Sequence, residues 1–185
     1  MKTNAFAVLV SESGHQPVAT HLPVLVEKKD DMFVITTHIA KANPHWQLLD
    51  KGRVLVIFSA PHAYISPSLY EHSRNVPTWN YIAVHAFGHA ELHTDHPMLL
   101  SILESTIVNY EENYLAQWKV LDQDYVNAML DEIVGITIHV DEWTAKEKLS
   151  QNKSQGERSR IADHLLDSEK NHEQEIGRRM KEKDD

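Results

Sequence analysis

The sequence predicts an α+β fold, in which a small β-barrel precedes late-inserted helices and a helical C-terminal tail. Three observations predict it. Strand-type alternation fills the first ninety residues, the 3–4 spacing of a helix takes over near Met98, and alternation returns over residues 135–140. A run of five or six short strands with helices added afterwards argues for a barrel rather than repeated βαβ units. The 185 residues suit one domain with an appendage, divided into 1–152 and a charged helical extension over 153–185.

Each element has its own signal. Phe6, Val8 and Val10 alternate with Ala7 and Leu9, and Ser11-Glu-Ser-Gly14 reads as a turn. Residues 18–26 read as one second strand, with Pro23 marking an edge or a bulge. Residues 28–31 form a charged turn before a strand over 32–37. The continuous apolar run 54–58 suits a strand covered on both faces, and 81–92 is a further strand with Gly88 as a bulge. Met98, Leu99, Ile102, Leu103, Thr106 and Ile107 share a helical face, with Asp95 or His96 as cap and Pro97 in the first turn. Tyr125, Met129, Leu130 and Ile133 mark a second short helix. Beyond Gly156, Ile161, Leu165 and Leu166, then Ile176 and Met180, predict one or two exposed helices that fray over residues 181–185.

Composition narrows the function. Lys and Arg number 18 against 27 Asp and Glu, a net charge of −9, so the whole molecule repels polyanions. Residues 1–150 hold 10 basic and 18 acidic side chains, which is not the electrostatic footprint of a DNA-binding domain. Only the tail, with Arg158, Arg160, Arg178 and Arg179, offers local positive charge. Cysteine is absent, which excludes disulfides and thiolate chemistry. No apolar run approaches the length of a membrane span, and the start enters a strand-like stretch directly, so the expected location is the cytoplasm.

Thirteen histidines are an unusual number. His85, His89 and His93 have helical metal spacing, yet they lie on a strand, where they would spread over roughly 27 Å and could not converge. No metal site is read from them. Thr36-Thr-His-Ile-Ala-Lys-Ala-Asn-Pro44 leaves a strand with hydroxyls, an imidazole and an ammonium, which suit a phosphate. The alternative is a short helix capped by Thr37 or His38, with Lys41 in solvent. Ser59-Ala-Pro-His-Ala-Tyr-Ile-Ser-Pro-Ser-Leu-Tyr70 and Val76-Pro-Thr-Trp-Asn-Tyr81 read as a rigid loop presenting aromatic faces, either to a planar ligand or to the core. Lys148-Leu-Ser-Gln-Asn152 follows the last strand and could aim ammonium and amide donors at a ligand. Glu111, Glu112 and the tail charges read as solvated helix faces.

Six blocks taken in order resemble the PaiB-like family, the FMN-binding negative transcriptional regulators. They are Thr20-His-Leu-Pro23, His38-Ile-Ala-Lys-Ala-Asn-Pro44, Pro61-His-Ala-Tyr-Ile-Ser-Pro67, Val76-Pro-Thr-Trp-Asn-Tyr81, Ile133-Val-Gly135 and Lys148-Leu-Ser-Gln-Asn152. The resemblance implies a split β-barrel of the flavin-reductase and pyridoxamine-phosphate-oxidase kind, spanning 1–152, with FMN bound at a homodimer interface. It also implies that Thr36, Thr37, His38 and Lys41 hold the phosphate and that Trp79 and Asn80 line the isoalloxazine. Lys148, Ser150, Gln151 and Asn152 would close the site, from the other subunit. The chain departs from the family pattern in several places. Met1–Ala5 stand where a longer helical segment is usual, Ala60 and Thr37 where Gly is common, Leu69 where Trp is, and Lys41 where Arg is. Lys lacks the bidentate fork of Arg, which lowers the expected FMN affinity.

Three functions compete. The first is a repressor that uses flavin as ligand or redox signal, with DNA as a partner by resemblance but not by charge. The second is an FMN-dependent oxidoreductase; no catalytic residue is assigned for it. The third, suggested only by the histidine count, is a haem- or metal-handling protein. Fold alone does not choose among them.

Overall fold

A computed structural model describes residues 1–72 and 74–183. Seven strands carry the fold: β1 (Phe6–Ser13), β2 (Gln16–Pro23), β3 (Leu25–Lys29), β4 (Met32–Ala40), β5 (Arg53–Ile65), β6 (Thr78–His93) and β7 (Ile133–Lys148). The helices are α1 (His96–Glu111), α2 (Leu115–Trp118), α3 (Gln123–Asp131), α4 (Gln155–Leu166) and α5 (Asn171–Glu182). The strands form one sheet in the order β2-β1-β5-β6-β7-β4-β3. Two compact units divide the chain, Met1–Phe58 with His85–Thr144, and Ser59–Val84 with Ala145–Asp185.

In the first unit the turns follow from local chemistry. Gly14 and His15 take positive φ, +56° and +72°, so a two-residue turn joins β1 to β2 at the Ser13↔Gln16 pair. Asp30, with φ +54°, does the same between Lys29 and Met32. The first turn thus falls later than Ser11–Gly14, and β1 is longer than expected.

The expected single strand over 18–26 is two strands, broken at Val24. Pro23 has no N–H to continue the ladder. Its carbonyl instead accepts the Thr37 hydroxyl at 2.6 Å, and the Val24 N–H turns to the Ala5 carbonyl at 2.8 Å. The break has a large consequence. β2 and β3 are the two ends of the sheet, yet Val24 alone separates them, and Pro23 to Leu25 spans at most about 7 Å. The sheet therefore curls until its ends meet.

Pairing of β4 with β7 sets the two faces. Ile35↔Ile138, Thr37↔Ile136 and Ile39↔Val134 share one face and are buried. Thr36↔Thr137 and His38↔Gly135 share the other. α1 lies over that second face: a Cβ on Gly135 would stand 2.6 Å from Ile102 Cδ1 and 3.0 Å from Leu99 Cδ2. Asp95 caps α1 by accepting the Met98 N–H at 3.0 Å, and Asp122 caps α3 in the same way. Leu99 then packs with Val126 and Leu130 of α3.

In the second unit, the expected aromatic loop is largely strand. β5 runs on to Ile65 and β6 begins at Thr78, leaving residues 66–77 as the connection. Pro61 is tolerated because the pairs between β5 and β1 end at Val8↔Ile57, so it breaks no rung of that ladder. The tail also differs from expectation. Ile161, Ala162, Leu165, Ile176 and Met180 are buried and form one core with Ala63, Ile65, Tyr70 and Leu149. The i, i+4 spacing that predicted the helices is the spacing of their buried faces, so they are packed rather than exposed. Ser154 and Glu157 make a capping box at the start of α4. A Cβ on Gly177 would lie 2.9 Å from the Ala162 carbonyl oxygen, so α5 needs glycine to cross α4 this closely. α5 continues to Glu182, and residues 184–185 of the expected frayed end lie outside the described residues.

Gly88, expected as a bulge, is required by a close approach to β7. A Cβ there would stand 2.1 Å from the His139 carbonyl oxygen on β7. Gly88→Ala must push two backbones apart and should lose about 1–3 kcal/mol or more of stability in denaturant unfolding. Gly52→Ala, with nothing within 4 Å, should change it little. Equal, small effects at both positions would show that β6 and β7 are not this close.

Candidate functional site

The four residues expected at a phosphate do not share one strand face. Thr36 and His38 point to the α1 side of β4, and Thr37 points to the buried side, because a strand alternates. The Thr37 hydroxyl is spent on the Pro23 carbonyl. Burial holds the His38 imidazole below its ordinary pKa, so it brings an N–H rather than a charge. Lys41 follows the strand. Its backbone N–H donates to the Glu132 carbonyl at 2.8 Å and its ammonium to the Asp131 carbonyl at 2.6 Å, both at the C-terminal end of α3. The ammonium thus sits at the negative end of a helix. The short helical turn after it, Pro44–Leu48, is capped by Asn43 rather than by Thr37 or His38.

Residue His45, unassigned by motif reasoning, anchors this segment. It is 1% exposed, and its ring nitrogens bond to the hydroxyls of Ser11 at 2.9 Å and Thr20 at 2.8 Å. Asn43 Nδ2 adds a bond to Thr20 Oγ1 at 3.3 Å. The segment that carries Lys41 is thereby fastened to the β1–β2 hairpin.

The remaining candidates lie in the second unit. Trp79 and Asn80 are neighbours on β6 and so face opposite ways. Trp79 is 51% exposed and meets Tyr64, 48% exposed, edge-on at 5.9 Å, with His62 tilted at 5.8 Å. Asn80 is fully buried; its Oδ1 accepts the Ser150 hydroxyl at 3.1 Å and its Nδ2 donates to Met180 Sδ at 3.4 Å. Ser150 takes φ +59°, and Gln151 folds back on its own turn, accepting from Leu149 N–H and donating to the Glu147 carbonyl. Lys148 donates to the Thr78 hydroxyl. Asn152 is exposed. The structure thus joins Asn80 to Ser150 and Lys148 to Thr78, and it presents Trp79 outward beside two rings that the motifs carried but sequence reasoning did not single out.

Two of the three histidines of β6 have partners of their own. His89 lies 3.5 Å from Asp141, His93 bonds Thr137 at 2.8 Å, and Glu91 between them reaches His139 at 3.5 Å. The tail guanidiniums are engaged as well. Arg160 pairs with Glu71, Arg178 with Glu175, and Arg179 with Glu175 and Glu182; Arg158 is not free either.

FMN makes two demands, a planar apolar contact and compensation for a phosphate carrying nearly two charges. The outward Trp79–Tyr64–His62 surface fits the first. Lys41 fits the second, since the Asp131 carbonyl uses one of the three ammonium protons. Of Thr36, Thr37, His38 and Lys41, only Lys41 brings a positive charge.

Comparison with known proteins places the chain in an FMN-binding family. The family described as "Putative FMN-binding domain" matches residues 1–142. The Bacillus subtilis protein named "Protease synthase and sporulation protein PAI 2" is 35% identical over 186 residues, covering 99% of this chain and 89% of its own. Among solved structures, the flavocytochrome Anf3 from Azotobacter vinelandii superposes with a TM-score of 0.59 at 14% identity, over 78% of this chain and 62% of that one. The FAD and heme binding protein from Mycobacterium smegmatis gives a TM-score of 0.58 at 15% identity, over 80% and 67%. At such identities the likeness is one of fold, the split barrel of flavin-binding proteins.

Burial of His45 gives a pH prediction. Its folded pKa lies below the unfolded value of 6.5, as does that of His38. Above that value both states are neutral and the two groups add no pH dependence. As pH falls below it, the unfolded chain takes up protons that the folded chain refuses, so stability drops by up to about 1.4 kcal/mol per unit for each group. Denaturant unfolding between pH 7.5 and 5 should show this fall, with a shallower slope in His45→Gln. An identical slope in the variant would mean that His45 titrates normally in the fold.

Proposed function

This chain belongs to the PaiB-like family of FMN-binding proteins, and from that premise we propose that it is a cytoplasmic, homodimeric regulator that represses genes according to the state of its flavin. Its cofactor is FMN. The observation that carries the reading is the correspondence, over 99% of the chain, with a protein whose name ties it to protease synthesis and sporulation. No helix among the described residues is long and apolar enough to cross a membrane.

Lys41 supplies the charge for the phosphate, with the Thr36 hydroxyl and the His38 N–H as neutral donors and Thr37 behind them holding β4 in place. Trp79 offers its face to the isoalloxazine. Asn80, Lys148, Ser150 and Gln151 act on the ring through the turn they build, and Asn152 is the exposed amide of that turn. Bound FMN supplies the redox chemistry, while the chain orients it and sets its surroundings. A second copy is supported by β7. Residues 141–146 are exposed one after another, so neither face of that stretch is covered, and they include Trp143 at 53% exposure. A second copy of the chain would cover them.

One observation favours the second reading, an FMN-dependent oxidoreductase. A repressor needs positive charge facing DNA phosphates, and the tail guanidiniums are paired with carboxylates. Oxidation of NADH or NADPH by the FMN-loaded protein, at rates above free FMN, would favour the enzyme.

The phosphate assignment is tested by calorimetric titration of FMN and riboflavin. Lys41 is exposed, so its charge-assisted contact falls at the low end of the usual range, and Lys41→Ala should weaken FMN about ten-fold. Riboflavin should be nearly unaffected, and Lys41→Arg should keep or improve FMN binding. Equal losses for both ligands would make Lys41 a cap of α3 and nothing more.

A further inference from the structure

His172 has no role in the flavin assignment, and His62 enters it only as a ring beside Trp79. His62 stands on β5 and His172 in the first turn of α5, and both are exposed. Their ring centres are 5.3 Å apart, with planes inclined at 32°. An imidazole nitrogen coordinates a metal such as zinc at about 2.0–2.1 Å, which puts each ring centre roughly 3.2 Å from the ion and two centres about 5.2 Å apart at a tetrahedral angle. The observed spacing matches that value.

Both supports are rigid. Trp79 stands against His62, and α5 is fixed by the buried Ile176, Gly177 and Met180. A chelating pair held by a strand and a packed helix loses little freedom on binding. The molecule's net charge of −9 also raises the local concentration of cations. We propose that His62 and His172 form a two-imidazole site for a divalent transition-metal ion. Copper(II) should bind most tightly, ahead of nickel(II) and zinc(II), as nitrogen ligands order these ions. Among the described residues no three His, Cys, Asp or Glu side chains are placed to hold a metal, so water completes the coordination. The positive end of the α5 dipole further limits affinity to the micromolar range. The site is therefore exchangeable rather than structural. It rests on the His62–His172 geometry, although His62 also borders the Trp79 surface of the flavin assignment.

The test is calorimetric titration of the tag-free, full-length protein with copper(II), nickel(II) and zinc(II), beside His62→Ala, His172→Ala and His139→Ala. The expected result is one equivalent bound in the order given, weakened at least ten-fold by either His62→Ala or His172→Ala and unchanged by His139→Ala. The far-ultraviolet circular dichroism and melting temperature of each variant confirm that these exposed substitutions leave the fold intact. Absence of binding at millimolar metal would overturn the proposal, as would affinity unchanged in both variants. So would loss in His139→Ala alone, which would move the ion to the cluster of Glu91, His93 and His139.

Discussion

A single residue between the two ends of the sheet governs the first unit. β2 and β3 are its outermost strands, yet only Val24 lies between them, so the sheet must curl until its edges touch. Two hydrogen bonds hold that junction, from the Thr37 hydroxyl to the Pro23 carbonyl and from the Val24 N–H to the Ala5 carbonyl. Curling gives β4 an inside and an outside. Ile35, Thr37 and Ile39 fill the inside, while Thr36 and His38 face outward under α1, and Lys41 emerges at the C-terminal end of α3. The chemistry proposed for the phosphate follows from that arrangement. It is one cation and a few neutral donors, fastened through Asn43 and the buried His45 to the β1–β2 hairpin.

The second unit solves a different problem, presenting aromatic surface without collapsing onto it. Alternation along β6 turns Trp79 outward and Asn80 inward. Asn80 then ties Ser150, in its left-handed conformation, to Met180 of α5. The polar turn after β7 is thus a structural joint that keeps the outward ring face in position. The charged tail supplies the core beneath it, and Arg178 and Arg179 are paired with neighbouring carboxylates.

Much of this was legible in the sequence. The α+β class, the start of α1 with Asp95 and Pro97, and the charged turn expected over residues 28–31, which the structure narrows to 30–31, follow from local rules, and the six ordered blocks carried the FMN-binding split barrel. What was not legible is mostly non-local. Nothing in residues 18–26 reveals that the strand breaks at Val24, because the break is satisfied by Thr37 and Ala5 from elsewhere. The prolines of 59–77 look like loop, but Pro61 lies beyond the ladder with β1 and costs it nothing. The tail looked solvated because charge dominates its composition, although its few apolar residues fall on one buried face. The opposite orientations of Thr36 and Thr37, and of Trp79 and Asn80, could have been read from alternation alone. The approach of His62 to His172 leaves no trace in spacing or motif.

The junction at Val24 is tested most directly by removing one hydroxyl. Thr37→Val keeps the shape and the β-branched stem but leaves the Pro23 carbonyl without its donor, while Thr37→Ser keeps the donor. In denaturant unfolding at neutral pH, Thr37→Val should lose about 0.5–1.5 kcal/mol, the net worth of one hydrogen bond, and Thr37→Ser should lose clearly less. A Thr37→Val protein as stable as the original, or a Thr37→Ser protein as weak as Thr37→Val, would contradict the view that this bond holds the two ends of the sheet together.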